Sequence, residues 1–309
     1  MRVVIALFCG ICILVATPPA RSWNKAGHMT AAAIAYADLK ERNPEVLAKV
    51  VQLLMRQPHF VSKWEDKLGQ VPQEDRDLYL FMLAARWPDD VRKKYPQYDR
   101  PAWHSVKIPY RPGKEKVKIP DGESIISAFP QNRSIAKSTA EGEKARAVAV
   151  CWMFHLIGDV HQPLHTIKLV TKQFPEPKGD RGGSGFYIRV TPTGSTISLH
   201  KLWDGLVLGS GKFQEVRNKA TSLRNKPRLK RNRLGEQLAV KSFRDWVLGS
   251  YTIAVEQAYR NGTLRGSTAR EDGVALSADY SDKAGKTAEH QIVLSGYRIS
   301  DEMVALFGR

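Results

Sequence analysis

The chain has 309 residues, 42% of them hydrophobic, and carries 48 Lys and Arg against 31 Asp and Glu for a net charge of +17. That length supports a substantial core in one large domain or two small ones, and the basic excess favours polyanionic partners, nucleic acid or an anionic membrane, over acid-repelling ones. Of the three cysteines, Cys9 and Cys12 fall in the first 22 residues, which leaves Cys151 alone and excludes an internal disulfide framework.

Residues 1–22 read as a secretory signal. Arg2 is the charged start, Val3 to Ala16 the apolar run and Ala20-Arg21-Ser22 the small-x-small cleavage site. The run is shorter than the roughly 20 residues a membrane span needs. Cleavage after Ser22 is expected, making Trp23 the N-terminus of a secreted or periplasmic protein with one domain, 23–309, and no membrane span. Helices are predicted over Gly27–Leu39, which is Ala-rich, and over Pro44–Arg56, where Pro44 suits the first helical position. A third is predicted over Asp75–Trp87, with Pro88 following. Pro101, Pro109, Pro112 and Pro120 then mark an extended region. Glu141–Val160 is a predicted helix, apolar through its second half, and Pro163 ends or kinks it.

Between Pro175 and Ser195 the pattern changes. Glycines at 179, 182, 183 and 185 precede Phe186–Val190, and Thr193-Gly194 leads into Ser195–Leu199, which predicts a small hairpin. Lys212–Arg233 holds Arg217, Lys219, Arg224, Lys226, Arg228, Lys230, Arg231 and Arg233; it reads either as a solvated, partly disordered loop or as a nucleic-acid-binding surface. Helices over Glu236–Tyr259 and Asp282–Phe307 complete an all-α, single multi-helix domain with a small β-hairpin. Asn132-Arg-Ser134 and Asn261-Gly-Thr263 fit the N-glycosylation pattern.

The chemistry concentrates in His155-Leu-Ile-Gly-Asp159-Val-His161-Gln-Pro-Leu-His165. On a helix His155 and Asp159 share a face, and both are normal zinc ligands, although a simple hydrogen-bonded pair is the alternative. Their apolar neighbours Trp152, Phe154, Leu156 and Ile157 favour the metal, because burying ionisable groups there is costly without compensation. His200 and Asp204 repeat the spacing. His28, the Asp89-Asp90 pair and His104 form a dispersed third set, while His59 and His290 read as surface residues. His161 reads as a supporting or solvent-facing residue rather than a ligand.

Taken in order, these residues resemble the zinc-dependent nucleases of the S-one and P-one type, relatives of the bacterial phospholipases C. The resemblance rests on Trp23 with His28 five residues on, Trp87-Pro88-Asp89-Asp90-Val91-Arg92, Trp103-His104, the His155…Asp159…His165 signature, His200…Asp204 and Ser295-Gly296-Tyr297-Arg298. It implies a phospholipase C/P-one nuclease-like fold and three zinc ions. One would be held by Asp89, His104, His155 and Asp159. A second would be held by the amine and carbonyl of Trp23 with His28 and the bridging Asp159, and a third by His165, His200 and Asp204. Asp89, Asp159 and Arg92 would be catalytic, with Arg92 neutralising phosphoryl oxygens.

The implied activity is a zinc-dependent, single-strand-specific endonuclease on DNA or RNA giving 5′-phosphate ends, with 3′-nucleotidase activity, in a monomer. A phospholipase C on the same fold and a basic nucleic-acid-binding protein with structural zinc are the rivals. Nine ligands argue against the latter, since a structural zinc needs four. Where the fungal members carry an aromatic residue and an acid that grip a base, this chain has Ser105 and Lys107. Ser184 and Ser198 replace two further asparagines, and the fungal disulfides are absent.

Overall fold

The structure, a computed structural model, describes residues 23–114 and 117–308; the signal segment lies outside the described residues. They contain eleven α-helices: α1 (Lys25–Arg42), α2 (Pro44–Leu54), α3 (Glu65–Gly69), α4 (Arg76–Val91), α5 (Ile125–Lys137), α6 (Glu143–Val160), α7 (Leu199–Gly205), α8 (Phe213–Asn225), α9 (Gly235–Ala239), α10 (Phe243–Ile253) and α11 (Tyr280–Phe307). Short strands are β1 (Ile108–Tyr110), β2 (Ile167–Leu169), β3 (Tyr187–Arg189), β4 (Thr196–Ser198) and β5 (Val274–Ala275). The fold is thus the all-α class that the sequence predicts.

Helices α1 and α6 are buried almost all round and form the centre of the molecule. The Asn24 side chain caps α1 by accepting from Gly27 N at 2.9 Å. Small residues along α1 let α4, α8 and α11 approach it closely. One close crossing is at Gly296 of α11, where a Cβ would fall 2.7 Å from the Ile34 side chain and 2.8 Å from the Ala31 carbonyl oxygen. On its other flanks α6 meets α4 and α5.

Several sequence expectations need correction. Helix α4 does not stop at Trp87 but continues through Pro88 to Val91, because packing of the buried Trp87, Pro88 and Val91 outweighs the single backbone bond that proline removes. The Pro-rich region contains a 3-10 turn, Pro101–His104, and β1, which pairs in parallel with β2 in the register Ile108↔Ile167. The hairpin β3–β4 forms as read, with Ile188 opposite Ile197, and β5 adds a parallel third strand. The helix expected over Glu236–Tyr259 is broken after α9, and Ser242 caps a fresh start at α10 by accepting from Asp245 N.

The basic stretch is not a loose loop. Helix α8 buries Val216, Ala220 and Leu223, and the cations bind back onto the fold. Arg217 reaches Asp75 at 2.7 Å, Arg224 reaches Glu41 at 2.7 Å, and Arg231 reaches Asp38 at 3.1 Å. His59 is likewise no plain surface residue: Trp87 Nε1–H donates to its Nδ1 at 3.0 Å, and Tyr95 and Tyr98 pack on its ring. His290 is half-buried on α11. Asn132 is buried in α5 with its amide donating to the Ala128 carbonyl, so of the two glycosylation patterns only Asn261 is exposed. Among the described residues no helix is long and apolar enough to cross a membrane.

Candidate metal centre

Asp159 sits at the focus of the buried polar residues. The helical i, i+4 spacing brings His155 Nε2 to 3.2 Å from its Oδ2, and His104, delivered by the turn after Pro101, brings Nδ1 to 3.1 Å from the same oxygen. Helix α1 supplies His28, whose Nε2 lies 3.3 Å from Oδ1 and whose ring stacks on His155 with centroids 3.9 Å apart. Gly158 makes this possible, since a Cβ there would stand 2.6 Å from His28 Nδ1. His165 approaches Oδ1 at 3.7 Å and stacks on His200 at 5.1 Å. His200 Nε2 lies 3.6 Å from Asp204 Oδ2 across one turn of α7.

Three groups of ligand atoms result, each gathered within 4.8 Å: His28, His155 and Asp159; Asp89, His104 and His155; and His165, His200 and Asp204. The family resemblance divides the same residues differently, pairing His28 with Trp23 instead of His155. Trp23 is fully buried, and the Asn24 amide beside it donates to the Asp204 carbonyl at 3.2 Å, which sets the start of α1 against α7. Arg92 ends α4 with Nη1 3.7 Å from Asp89 Oδ1. Asp90 turns away to Arg86 and Lys25 and joins none of the groups.

Backbone carbonyls aim the imidazoles. Nδ1–H of His155 donates to the Ala85 carbonyl at 2.9 Å, that of His165 to the His104 carbonyl at 2.6 Å, and that of His200 to the Gly182 carbonyl at 2.6 Å. Each bond fixes a tautomer that presents Nε2 inward, the usual support of a metal ligand. Nε2 of His104 and of His165 are buried and take no hydrogen bond.

The charges also suit a cation. Burial would raise Asp159, but the charges of His155 and His165 and hydrogen bonds from His104 and His155 hold it well below the usual carboxylate range. Burial lowers His28 and His165, which favours the neutral form that can coordinate. Burial pushes Asp204 well above the ordinary range, and Asp89 and Asp159 add to the rise against a hydrogen bond from Gln162. Concentrated negative charge that is too costly to ionise alone is what a bound dication relieves. The donor set therefore fits zinc.

Some supporting residues were not legible as functional in the sequence. Gln162 Nε2–H donates to Asp204 Oδ1 at 2.7 Å. Asp180 is buried and accepts from the backbone amides of Leu169, Gly182 and Gly183 and from the Tyr259 hydroxyl, so it shapes the loop whose carbonyl aims His200. The only sequence signal was the glycine pair that follows it. Ser198 caps α7 by accepting from Lys201 N. Half-buried Lys107 donates to the Leu164 carbonyl at 3.1 Å, and burial lowers its ammonium to about 8 against the pull of Asp180, Asp204 and Asp159. His161 is buried, not solvent-facing: its Nδ1–H donates to the Ile157 carbonyl, its Nε2 accepts from Arg298, and it belongs to none of the three groups.

The first, fourth, sixth and seventh helices of this helical domain thus bring His and Asp side chains into three groups that could hold metal ions. The family model for S1/P1 Nuclease matches residues 23–308, and the chain belongs to that family. It is 28% identical to Nuclease S1 of Aspergillus oryzae over 190 residues, 57% of this chain and 59% of that protein's length. Endonuclease 4 of Arabidopsis thaliana is 22% identical over an alignment of 318 positions, covering 92% of this chain and 89% of the relative.

Proposed function

We propose that this chain is an exported, three-zinc phosphodiesterase that cleaves single-stranded DNA or RNA to 5′-phosphate products and has 3′-nucleotidase activity. The observation that carries the reading is the convergence of three ligand groups around Asp159 in a member of the S1/P1 nuclease family. The proposed ligands are Asp89, His104, His155 and Asp159 for one ion; the Trp23 amine and carbonyl, His28 and Asp159 for its neighbour; and His165, His200 and Asp204 for the third. Bound zinc supplies Lewis acidity toward phosphoryl oxygens and acidifies water. The protein's own share is positional. Asp159, kept ionised, balances two adjacent cations; the Ala85, His104 and Gly182 carbonyls lock three imidazoles; and Arg92, beside Asp89, offers its guanidinium to the phosphoryl oxygens. A free amine at Trp23 requires removal of residues 1–22, which ties activation to export.

The test is a metal count by mass spectrometry on the protein beginning at Trp23, with turnover of single-stranded DNA, RNA and phosphatidylcholine measured side by side. About three zincs and nucleic-acid turnover abolished by chelation are expected. One tightly held zinc sinks the cluster, and preference for phosphatidylcholine replaces the nuclease reading with the phospholipase one.

A further inference from the structure

An open cavity of about 550 Å³ lies between α10 and α11, and none of its lining residues belongs to the three ligand groups. Arg228, Trp246, Lys286, His290, Gln291 and Arg298 line it. Arg298 is the unusual group. Its side chain lies on the Trp246 ring, 4.5 Å from the centroid, and the residue is only 7% exposed. Nη1–H donates to His161 Nε2 at 2.7 Å and Nη2–H to the Gln237 carbonyl at 2.8 Å, both neutral acceptors, while the buried Nε carries no hydrogen bond. A guanidinium buried this far is normally paired with a carboxylate, because an uncompensated buried charge is costly.

The carboxylate that acts on Arg298 is Asp301, one turn further along α11, and it is already committed to Arg231, to Lys241 at 3.1 Å and to Arg42 at 3.8 Å. Burial accordingly lowers the guanidinium to about 9. The rim is short of negative charge as well: Glu289 alone answers Lys219, Lys226 and Arg228. Lys286 pairs with the exposed Asp282, and the acids that line the cavity from α10 and the turn after it, Asp245 and Glu256, are solvent-exposed.

We propose that this cavity is a second anion site, separate from the metal centre, that binds a phosphate group between Arg298, His290 and Lys286. A planar donor fork, an imidazole and an ammonium from one helix face suit the several oxygens of a phosphate. Two sources share that chemistry, the backbone of a bound single strand and free phosphate, and the proposal does not depend on the three-zinc reading.

Two variants test it, the cavity-lining pair His290→Ala with Lys286→Ala, neither of them a buried core residue, and the fork-removing Arg298→Lys. Binding of inorganic phosphate to the zinc-loaded protein is followed by calorimetry, together with KM and kcat on a dinucleotide and on a long single-stranded oligonucleotide across a salt series. Beside any phosphate held at the zinc centre, wild-type protein should show a second phosphate site that the double variant weakens about tenfold or more, with dinucleotide turnover unchanged. If a strand supplies the phosphate, the oligonucleotide KM rises severalfold at constant kcat and its salt slope falls by roughly one to two counterions. If free phosphate is the ligand, oligonucleotide KM stays fixed while the calorimetric site is lost. Equal phosphate binding and equal oligonucleotide KM in parent and both variants overturn the proposal. Because the readout is phosphate binding away from the zinc, it can succeed or fail whatever the metal count proves to be.

Discussion

Replacing Gly158 with alanine tests whether the candidate centre depends on the close packing of α6 against α1. The new Cβ would meet His28 Nδ1 at 2.6 Å and Cε1 at 3.0 Å, whereas ordinary contacts lie near 3.5–4.0 Å. The imidazole must therefore recede by about 1 Å, which also disturbs its stacking on the His155 ring at 3.9 Å. Overpacking of this kind costs about 1–3 kcal/mol, which for a domain of this size lowers Tm by roughly 2–4 °C per kcal/mol. Metal ligands tolerate only about 0.2 Å, so His28 should be lost as a ligand. Zinc content should fall by about one ion, and turnover by at least 10–100-fold. Calorimetry and mass-spectrometric metal analysis read both effects. The control is Gly285→Ala on α11, whose Cβ meets nothing within 4 Å and which should gain up to about 1 kcal/mol from helix propensity. Full zinc content and unchanged Tm in Gly158→Ala would falsify the packing argument.

Further outcomes follow from the same geometry. A protein with one extra residue before Trp23, verified by mass spectrometry, should keep its fold but lose one zinc and nearly all turnover; full activity refutes the role given to the amine. In zinc-stripped protein at neutral pH, Asp159→Asn should lower the urea midpoint and Asp204→Asn should raise it. Asp159 has a depressed folded pKa, so it adds stability above its unfolded pKa that is lost as pH falls through the folded value. Asp204 has a raised folded pKa, so its burial costs stability that accrues as pH rises above its unfolded pKa toward the folded value, a cost already present at neutral pH. Shifts of the same sign for both variants reject this electrostatic account.

The long helices were legible because their periodicity extends over many residues, as in α6 and α11. What periodicity could not show is where tertiary contact overrides a local signal. Pro88 marks a helix end in the sequence, yet α4 runs on past it and so places Asp89 one turn from the carbonyl that aims His155. Three-residue strands such as β2 carry no period at all. The basic stretch looked unstructured because its three apolar anchors, Val216, Ala220 and Leu223, are outnumbered by cations whose partners lie far away in sequence. At the site, His and Asp spacing identified side chains that gather into the candidate groups, since those residue types announce their chemistry. The backbone carbonyls of Ala85, His104 and Gly182 have no residue-type signature, and Asp180 and Gln162 act only through what they hold.

The crossing of α1 with α11 at Gly296 sets an order of events for the newborn chain. Helix α1 is synthesised early and carries His28, but it is buried by a helix some 250 positions downstream. Until that segment emerges, α1 exposes apolar surface on a side it cannot cover by itself, and non-local contacts of this span are slow to form. A chain interrupted before α11 would retain every one of the candidate ligands in its sequence and still be unable to seat the first of them. Assembly of the candidate centre is thereby deferred until α11 has been synthesised.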